Sequence, residues 1–343
     1  MPRKLAYREL LMATLAGDAL PVTPVSLWLH HPGLDQDGET LGRASVEFQR
    51  AFDLDFSKIT PASTYQVRDY GLTDTWDGDH FGRRTVVGRV VAQADDLWAL
   101  PDLNPQAGFV GGLLRAAVVT RRSLPRAIPV LMTVFNPVFQ LGLLAGAELF
   151  AALLRDFPAQ VRAGLGQITA NTLRLIAALV DTGIDGIYFA TQHAQPTGLS
   201  LADYREYALP GDRACLAAAA ALPCNVLHVH GAAVYTDLLG DWAGLPVAIL
   251  HYDTQADNPP PAFLTRCWPG GISTGLSHTH AVFAESAARV AAATGRLLAE
   301  CRGPRFVLGA GCALPLVAGT AQIAAIVDAA RSPSPAVWRA TTP

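Results

Sequence analysis

Lysine is almost missing from this chain of 343 residues: Lys4 and Lys58 are the only two, and arginine makes up the rest of the 26 basic residues. No run of Lys or Arg forms a basic stripe, which argues against nucleic acid as a partner. Charged residues are scarce, at 16%, with a formal net charge of -3. There are five cysteines, too few for a disulfide framework at this length; a reducing, cytoplasmic setting is expected, in which each thiol is judged singly. Met1 to Gly17 carries Arg3, Lys4, Arg8 and Glu9 and lacks the apolar core of a secretory signal. The most apolar window, Leu141 to Leu154, is interrupted by Glu148 and too short for a bilayer, so no membrane partner is expected. No Gly-x-Gly-x-x-Gly follows the first strand candidate, and a dinucleotide-binding fold has no positive signal. Internal repeats, low-complexity linkers and domain boundaries are also lacking, so residues 1–343 read as a single domain. What the chain does have is apolar: half its residues are hydrophobic, enough for a large core, which excludes a disordered or fibrous chain.

The apolar residues fall into short β-rich runs alternating with longer helical stretches. Strand candidates are Pro24–His30, Phe56–Thr60, Pro129–Phe135, Gly186–Thr191, Asn225–His230, Pro246–Asp253, Gly271–Leu276 and Arg305–Gly309. Most are nearly continuous apolar runs, as strands buried on both faces of a parallel sheet must be. Helical spacing marks Leu5–Ala16, Leu41–Phe52, Leu141–Arg155, Pro158–Thr182, Ser200–Leu222, Ala281–Cys301 and Thr320–Arg331. Eight strands with helical connections predict an α/β fold, a (β/α)8 TIM barrel. Tyr70–Val91, polar and punctuated by glycine, breaks the alternation and reads as a β-hairpin inserted after the second strand.

In such barrels the site lies at the C-terminal ends of the strands. Eight of the nine histidines fall there, among them His30 and His31 after the first run, His193 after the fourth and His278 after the seventh. His228 and His230 are two apart on a strand, so both rings face one side. Cys312, after the last run, completes a set of two nitrogens and one sulfur. That set suits zinc, with a fourth position open for substrate. The bland alternative is a polar pocket without metal. Lys58, a lone lysine within a strand, either reaches the barrel mouth or pairs with Asp55 or Asp69. Asn136, Thr191, Gln192 and Asp253 are further strand-end polar candidates. Trp28, Tyr65, Trp76, Phe135 and Tyr188 are candidate wall residues, while Cys215, Cys224, Cys267 and Cys301 read as buried or incidental thiols.

Five segments carry a family resemblance: Pro24–His31 (PVSLWLHH), Asp55–Tyr70 (DFSKITPASTYQVRDY), Gly183–Pro210 (GIDGIYFATQHAQPTGLSLADYREYALP), Leu227–Gly231 (LHVHG) and Leu308–Pro315 (LGAGCALP). In this order the chain resembles the uroporphyrinogen decarboxylase superfamily, from roughly Leu5 to Arg331. The group includes porphyrin decarboxylases and zinc-dependent methylcobamide:thiol methyltransferases, and the resemblance implies a (β/α)8 barrel. The decarboxylase branch uses an Arg-rich motif after the first strand, where this chain has Leu29-His30-His31-Pro32-Gly33. It also uses a C-terminal Gly-His-Gly, here Gly309-Ala310-Gly311, and an Asp after the second strand, here Ile59-Thr60-Pro61. A substrate with eight carboxylates needs a cationic cavity, so porphyrinogen decarboxylation is disfavoured. The methyltransferase branch uses His-x-Cys and a distal Cys as zinc ligands; this chain matches with His228-x-His230 and Cys312, His standing for the middle Cys. The resemblance therefore implies zinc-dependent methyl transfer from a corrinoid to a small thiol or related acceptor. Lys58, Gln192 and Asp253 would orient the acceptor; His30, His31, Asn136, Tyr188, Thr191, His193 and His278 would form the substrate pocket. A small-molecule substrate, a corrinoid protein and a second copy of the chain are the expected partners. The alternatives are uroporphyrinogen decarboxylation itself and a metal-free barrel binding a tetrapyrrole or small anion.

Overall fold

The computed structural model describes residues 6–18, 20–301 and 303–333. Among the described residues nine strands form in chain order: β1 (Ser57–Ile59), β2 (Thr73–Thr75), β3 (Thr85–Gly88), β4 (Val130–Phe135), β5 (Gly186–Thr191), β6 (Val226–Val229), β7 (Ile249–His251), β8 (Gly271–Thr274) and β9 (Phe306–Leu308). Seven of them curl into one parallel sheet in the order β1-β4-β5-β6-β7-β8-β9. Every residue of these seven strands is buried. Helices cover the outer face and side chains fill the inner one, which is why the runs carry no polar alternation. The fold is thus α/β with a curled, barrel-like parallel sheet.

The first expected strand, Pro24–His30, is not a regular strand. It makes two parallel bridges, Val25 to Leu308 and Leu29 to Leu314. Pro24 has no N–H to donate, and side chains take over ladder positions on the other side. The Asp55 carboxylate accepts from the Val25 N–H at 2.7 Å, and the Ser26 hydroxyl donates to the Phe56 carbonyl at 2.7 Å. The segment hydrogen-bonds to β9 through Ser26 N–H and Leu308 O, and to the approach to β1 through Asp55 N–H and Val25 O. It therefore lies between the two edges of the sheet. Within Tyr70–Val91, β2 and β3 pair antiparallel as a separate two-stranded sheet. Asp74 of β2 binds Arg84 and Arg68, and the His80 carbonyl accepts from the Leu316 N–H.

Three helical expectations are corrected. Leu141–Arg155 belongs to two helices, Pro137–Ala145 and Ala147–Asp156, bent by 114°. The break is at Gly146, whose φ of 82° belongs to glycine. Ser200–Leu222 divides into Leu201–Asp203, a π-turn at Tyr204–Ala208 and a helix at Leu209–Ala218. Pro210 near its start cannot return a hydrogen bond to the preceding turn. Ala281–Cys301 is a 3-10 turn, Ala281–Ala284, followed by the helix Ala287–Cys301. The helix Gly108–Ser123 was not expected, because Gly108, Gly111 and Gly112 lower its helix propensity. Packing outweighs that cost. A Cβ on Gly38 would lie 2.0 Å from the Gly112 carbonyl oxygen, so glycine lets the helix Gly38–Phe52 approach closely. Asp69 caps the new helix, accepting from the N–H groups of Phe109 and Val110 at 2.7 and 2.9 Å. Pro158–Asp181 is long and apolar enough to cross a bilayer by length and composition alone, but half of that window is buried in the fold.

At the N-terminal end of the sheet, Asp185 binds Arg8 and the buried Arg121 and accepts from the Val130 N–H. Asp185→Ala would leave the Arg121 charge buried without its carboxylate. Such losses cost about 3–5 kcal/mol. Urea unfolding should show a drop of that size, and a change under about 1 kcal/mol would contradict the assignment.

Candidate functional site

β6 and the residue just past its end deliver two imidazoles. His228 and His230 share one side of the chain because side chains alternate along it. The third donor comes from across the sheet, on the loop after β9. Glycine brings that loop inward. A Cβ on Gly309 would meet Ser273 Oγ at 2.8 Å and His251 Nε2 at 3.1 Å, and one on Gly311 would meet Ser277 Cα at 2.7 Å. With both positions bare, Cys312 Sγ reaches 3.6 Å from His230 Nδ1 and 4.0 Å from His228 Nε2. One ligand atom from each residue lies within 4.8 Å of the others, a group that could hold a metal ion. Burial pushes His228 well below the ordinary imidazole range and lowers His230 too, with Asp253 acting the other way on His230. Both rings are therefore neutral at pH 7, the form that ligates metals. Burial raises the Cys312 thiol, with Lys58 opposing the shift.

The three donors open onto a cavity of ≈ 250 Å³. Trp28, Phe81, Phe135, Phe139 and Tyr188 give it an aromatic wall; Lys58, Arg83, Gln192, His30 and His278 add polar groups. Lys58 does reach the mouth of the sheet. Its Nζ lies 3.1 Å from Thr60 Oγ1 and sits 4.4 and 5.1 Å from the ring centres of Tyr188 and Trp28. Neither expected carboxylate meets it: Asp55 pairs with Arg331 at 2.7 Å and Asp69 caps a helix. Desolvation lowers the Lys58 amine to about 7. Burial also takes His30 down to about 3, and the Nδ1 atoms of His30 and His278 are buried without a hydrogen-bond partner.

Of the sequence-predicted residues, the cavity brings together His30, Lys58, Tyr188, Gln192, His228, His230, His278 and Cys312. Five others lie outside its wall. Asn136 donates to the buried Asp212 at 3.2 Å and accepts from the Gln192 N–H, fixing the loop that carries Gln192. Thr191 donates to the His228 carbonyl at 3.0 Å. His31 packs on Phe48, and His193, at φ 67°, packs between Phe139 and Phe150. Asp253 accepts from the Gln255 N–H and would touch any Cβ on Gly311. Of the proposed aromatic wall, Tyr65 is core, its hydroxyl donating to the Thr133 carbonyl, and Trp76 lies at the surface, outside the cavity wall. Sequence reasoning did not reach Arg83 and Phe81, which lie between the two short antiparallel strands, and it counted His251 among the strand-end histidines without giving it a role. His251 pairs in register with His228, so counting partners across adjacent strands could have found it.

No curated protein sequence matches this chain. Among solved structures, a methyltransferase from Methanosarcina mazei is similar at TM-score 0.81 and 16% identity, over 95% of this chain and 98% of that one. A B12-independent methionine synthase from a Shewanella species, solved with selenomethionine, is similar at TM-score 0.52 and 12% identity, over 90% and 94%. At these identities the likeness is one of fold. The sequence match is more specific: the model of the family described as uroporphyrinogen decarboxylase (URO-D) covers residues 32–333, from the loop after the first extended segment to the end of the last helix. The chain belongs to the uroporphyrinogen decarboxylase (URO-D) family.

Proposed function

We propose that this protein is a zinc-dependent methyltransferase that moves a methyl group from a corrinoid, carried on a partner protein, to the sulfur of a small thiol. The observation that carries the reading is the convergence of His228, His230 and Cys312 on one wall of the cavity. With metal–ligand lengths of about 2.0–2.1 Å to nitrogen and 2.3 Å to sulfur, tetrahedral N and S donors lie about 3.5 Å apart. The separations of 3.6 and 4.0 Å fit that set, so these three residues would hold zinc. When bound, zinc would supply Lewis acidity that keeps an acceptor thiol ionised at neutral pH.

The chain's own residues do the rest. Lys58 is a buried amine, charged below about pH 7 and without a carboxylate partner among the described residues, so its protonated form complements an acceptor with an anionic group. Gln192 and, through the position of the loop at Gly311, Asp253 orient the acceptor. Trp28, Phe135 and Tyr188 exclude water. The acceptor sulfur forms its bond to the methyl carbon as the carbon–cobalt bond breaks, and that bond's electron pair stays on the corrinoid. The thiol proton leaves to solvent. The same reading takes the fold as a closed (β/α)8 barrel in a single domain, with Pro24–Leu29 as the eighth member and Tyr70–Val91 as an inserted hairpin. The hydrogen bonds of Pro24–Leu29 to both sheet edges support it.

Porphyrinogen decarboxylation is disfavoured by charge. Lys58 and Arg83 are the only Lys or Arg among the described residues lining the cavity, against the eight carboxylates to be matched. Anaerobic incubation of zinc-supplemented protein with methylcobalamin and a panel of small thiols, followed by absorbance, should show zinc-dependent demethylation. With uroporphyrinogen, chromatography of the oxidised products should show no coproporphyrin. Demethylation with no thiol, or decarboxylation at many turnovers per minute, would overturn the proposal; tight zinc-free porphyrin binding would favour the metal-free alternative.

A further inference from the structure

We propose that His251 is a positioning residue that sets the tautomer of His228, so that the Nε2 lone pair of His228 faces the candidate metal site. β6 and β7 place the two histidines in register, and the rings face each other with centroids 4.8 Å apart. Their Nδ1 atoms are 2.8 Å apart, which requires one proton between them. The other end of His251 decides where that proton sits. His251 Nε2 lies 2.7 Å from the Ala310 carbonyl oxygen, and a carbonyl only accepts, so Nε2 carries hydrogen. A neutral His251 then has its lone pair at Nδ1. The proton between the rings belongs to His228 Nδ1, and the free lone pair of His228 is at Nε2, the atom 4.0 Å from Cys312 Sγ.

Two further features support a neutral His251. It is fully buried, and no carboxylate pairs with it among the described residues. The Tyr188 hydroxyl, 2.9 Å from His251 Nδ1, is a second donor to the same lone pair. The arrangement also ties the two halves of the site together. Ala310 lies two residues before Cys312, so the loop that presents the thiol also fixes, through His251, the lone pair of the facing imidazole. Outer partners of this kind typically change metal affinity by 10–100-fold when removed.

The inference rests on the metal-site reading for its consequence, but the tautomer is a property of the metal-free protein and is tested there. Long-range proton–nitrogen correlation spectra of metal-free protein labelled with 15N-histidine, assigned with His228→Gln and His251→Asn, should show His228 protonated at Nδ1 and His251 at Nε2. Finding His228 protonated at Nε2 overturns the proposal, whether or not zinc binds. In zinc titrations of the full chain, His251→Leu should bind 10–100-fold more weakly than the parent. His251→Asn, whose amide oxygen takes the place of Nδ1 as acceptor, should recover part of that loss. Parent-like zinc affinity in a folded His251→Leu variant also overturns it. A parent protein that takes up no zinc sinks the metal reading alone, and a His251→Leu variant that fails to fold leaves the spectra of the parent to decide.

Discussion

Cys312→Ser is expected to lower zinc affinity at least tenfold, and Cys267→Ser to leave it unchanged. The first change swaps an ionisable sulfur for a neutral hydroxyl, a poor zinc donor, and leaves two imidazoles to hold the ion. It removes a single atom's worth of difference from a partly exposed position, so the fold should survive. Cys267 is exposed and outside the cavity wall, which makes it the internal control for nonspecific thiol binding. Competition against a chromophoric chelator reads both affinities on one scale. Equal affinity in the two variants would reject Cys312 as a ligand. It would leave the curled sheet untouched, since strand pairing there is made by backbone hydrogen bonds and not by that thiol.

The second large effect is on stability. Lys58→Met should make the metal-free protein more stable at pH 7, by on the order of 3–5 kcal/mol at about 1.36 kcal/mol per pKa unit. Burial lowers the native amine to about 7 from its ordinary 10.5. Between those values the unfolded chain binds one proton more than the native state, so native stability rises with pH across that window. The cost of the buried cation is fully present below about pH 7 and disappears above 10.5. Urea unfolding of parent and variant should therefore differ by nearly the full amount at pH 7 and converge towards pH 10. The same substitution should abolish use of an anionic acceptor, the trade expected where a destabilising group serves a site. A variant less stable than the parent at pH 7 would show that Lys58 is a structural residue.

Most of the sheet strands were legible because both their faces are buried, which writes a nearly continuous apolar run into the sequence; β1 (Ser-Lys-Ile) and β8 (Gly-Ile-Ser-Thr) carry a weaker one. Pro24–His30 carried the same signal without forming a regular ladder, because its backbone bonds to both sheet edges are interrupted on the β1 side, where Asp55 and Ser26 supply side-chain hydrogen bonds. The helix Gly108–Ser123 was hidden by glycines whose reason is a neighbouring helix, a contact invisible along the chain. The site divides in the same way. His228 and His230 lie at the end of a strand, where period two fixes direction, and the bare Gly309 and Gly311 explain how Cys312 arrives. Thr191 closes β5 next to the cavity-lining Ala190, so period two turns it away from the cavity; Asn136, His193 and Asp253 follow their strands. There the backbone turns, as at the left-handed His193, and strand periodicity no longer says where a side chain points. His251 was readable in principle from register with His228, but register is set by pairing across strands rather than by the local sequence.

His228, His230 and Cys312 are expected to bind one metal ion together. The direct test is zinc analysis of the purified full-length chain after zinc supplementation and exhaustive dialysis, beside the triple variant His228→Ala, His230→Ala, Cys312→Ser. One zinc per chain in the parent and none in the variant is the predicted result; no retained zinc in the parent, or equal zinc in both, would contradict it.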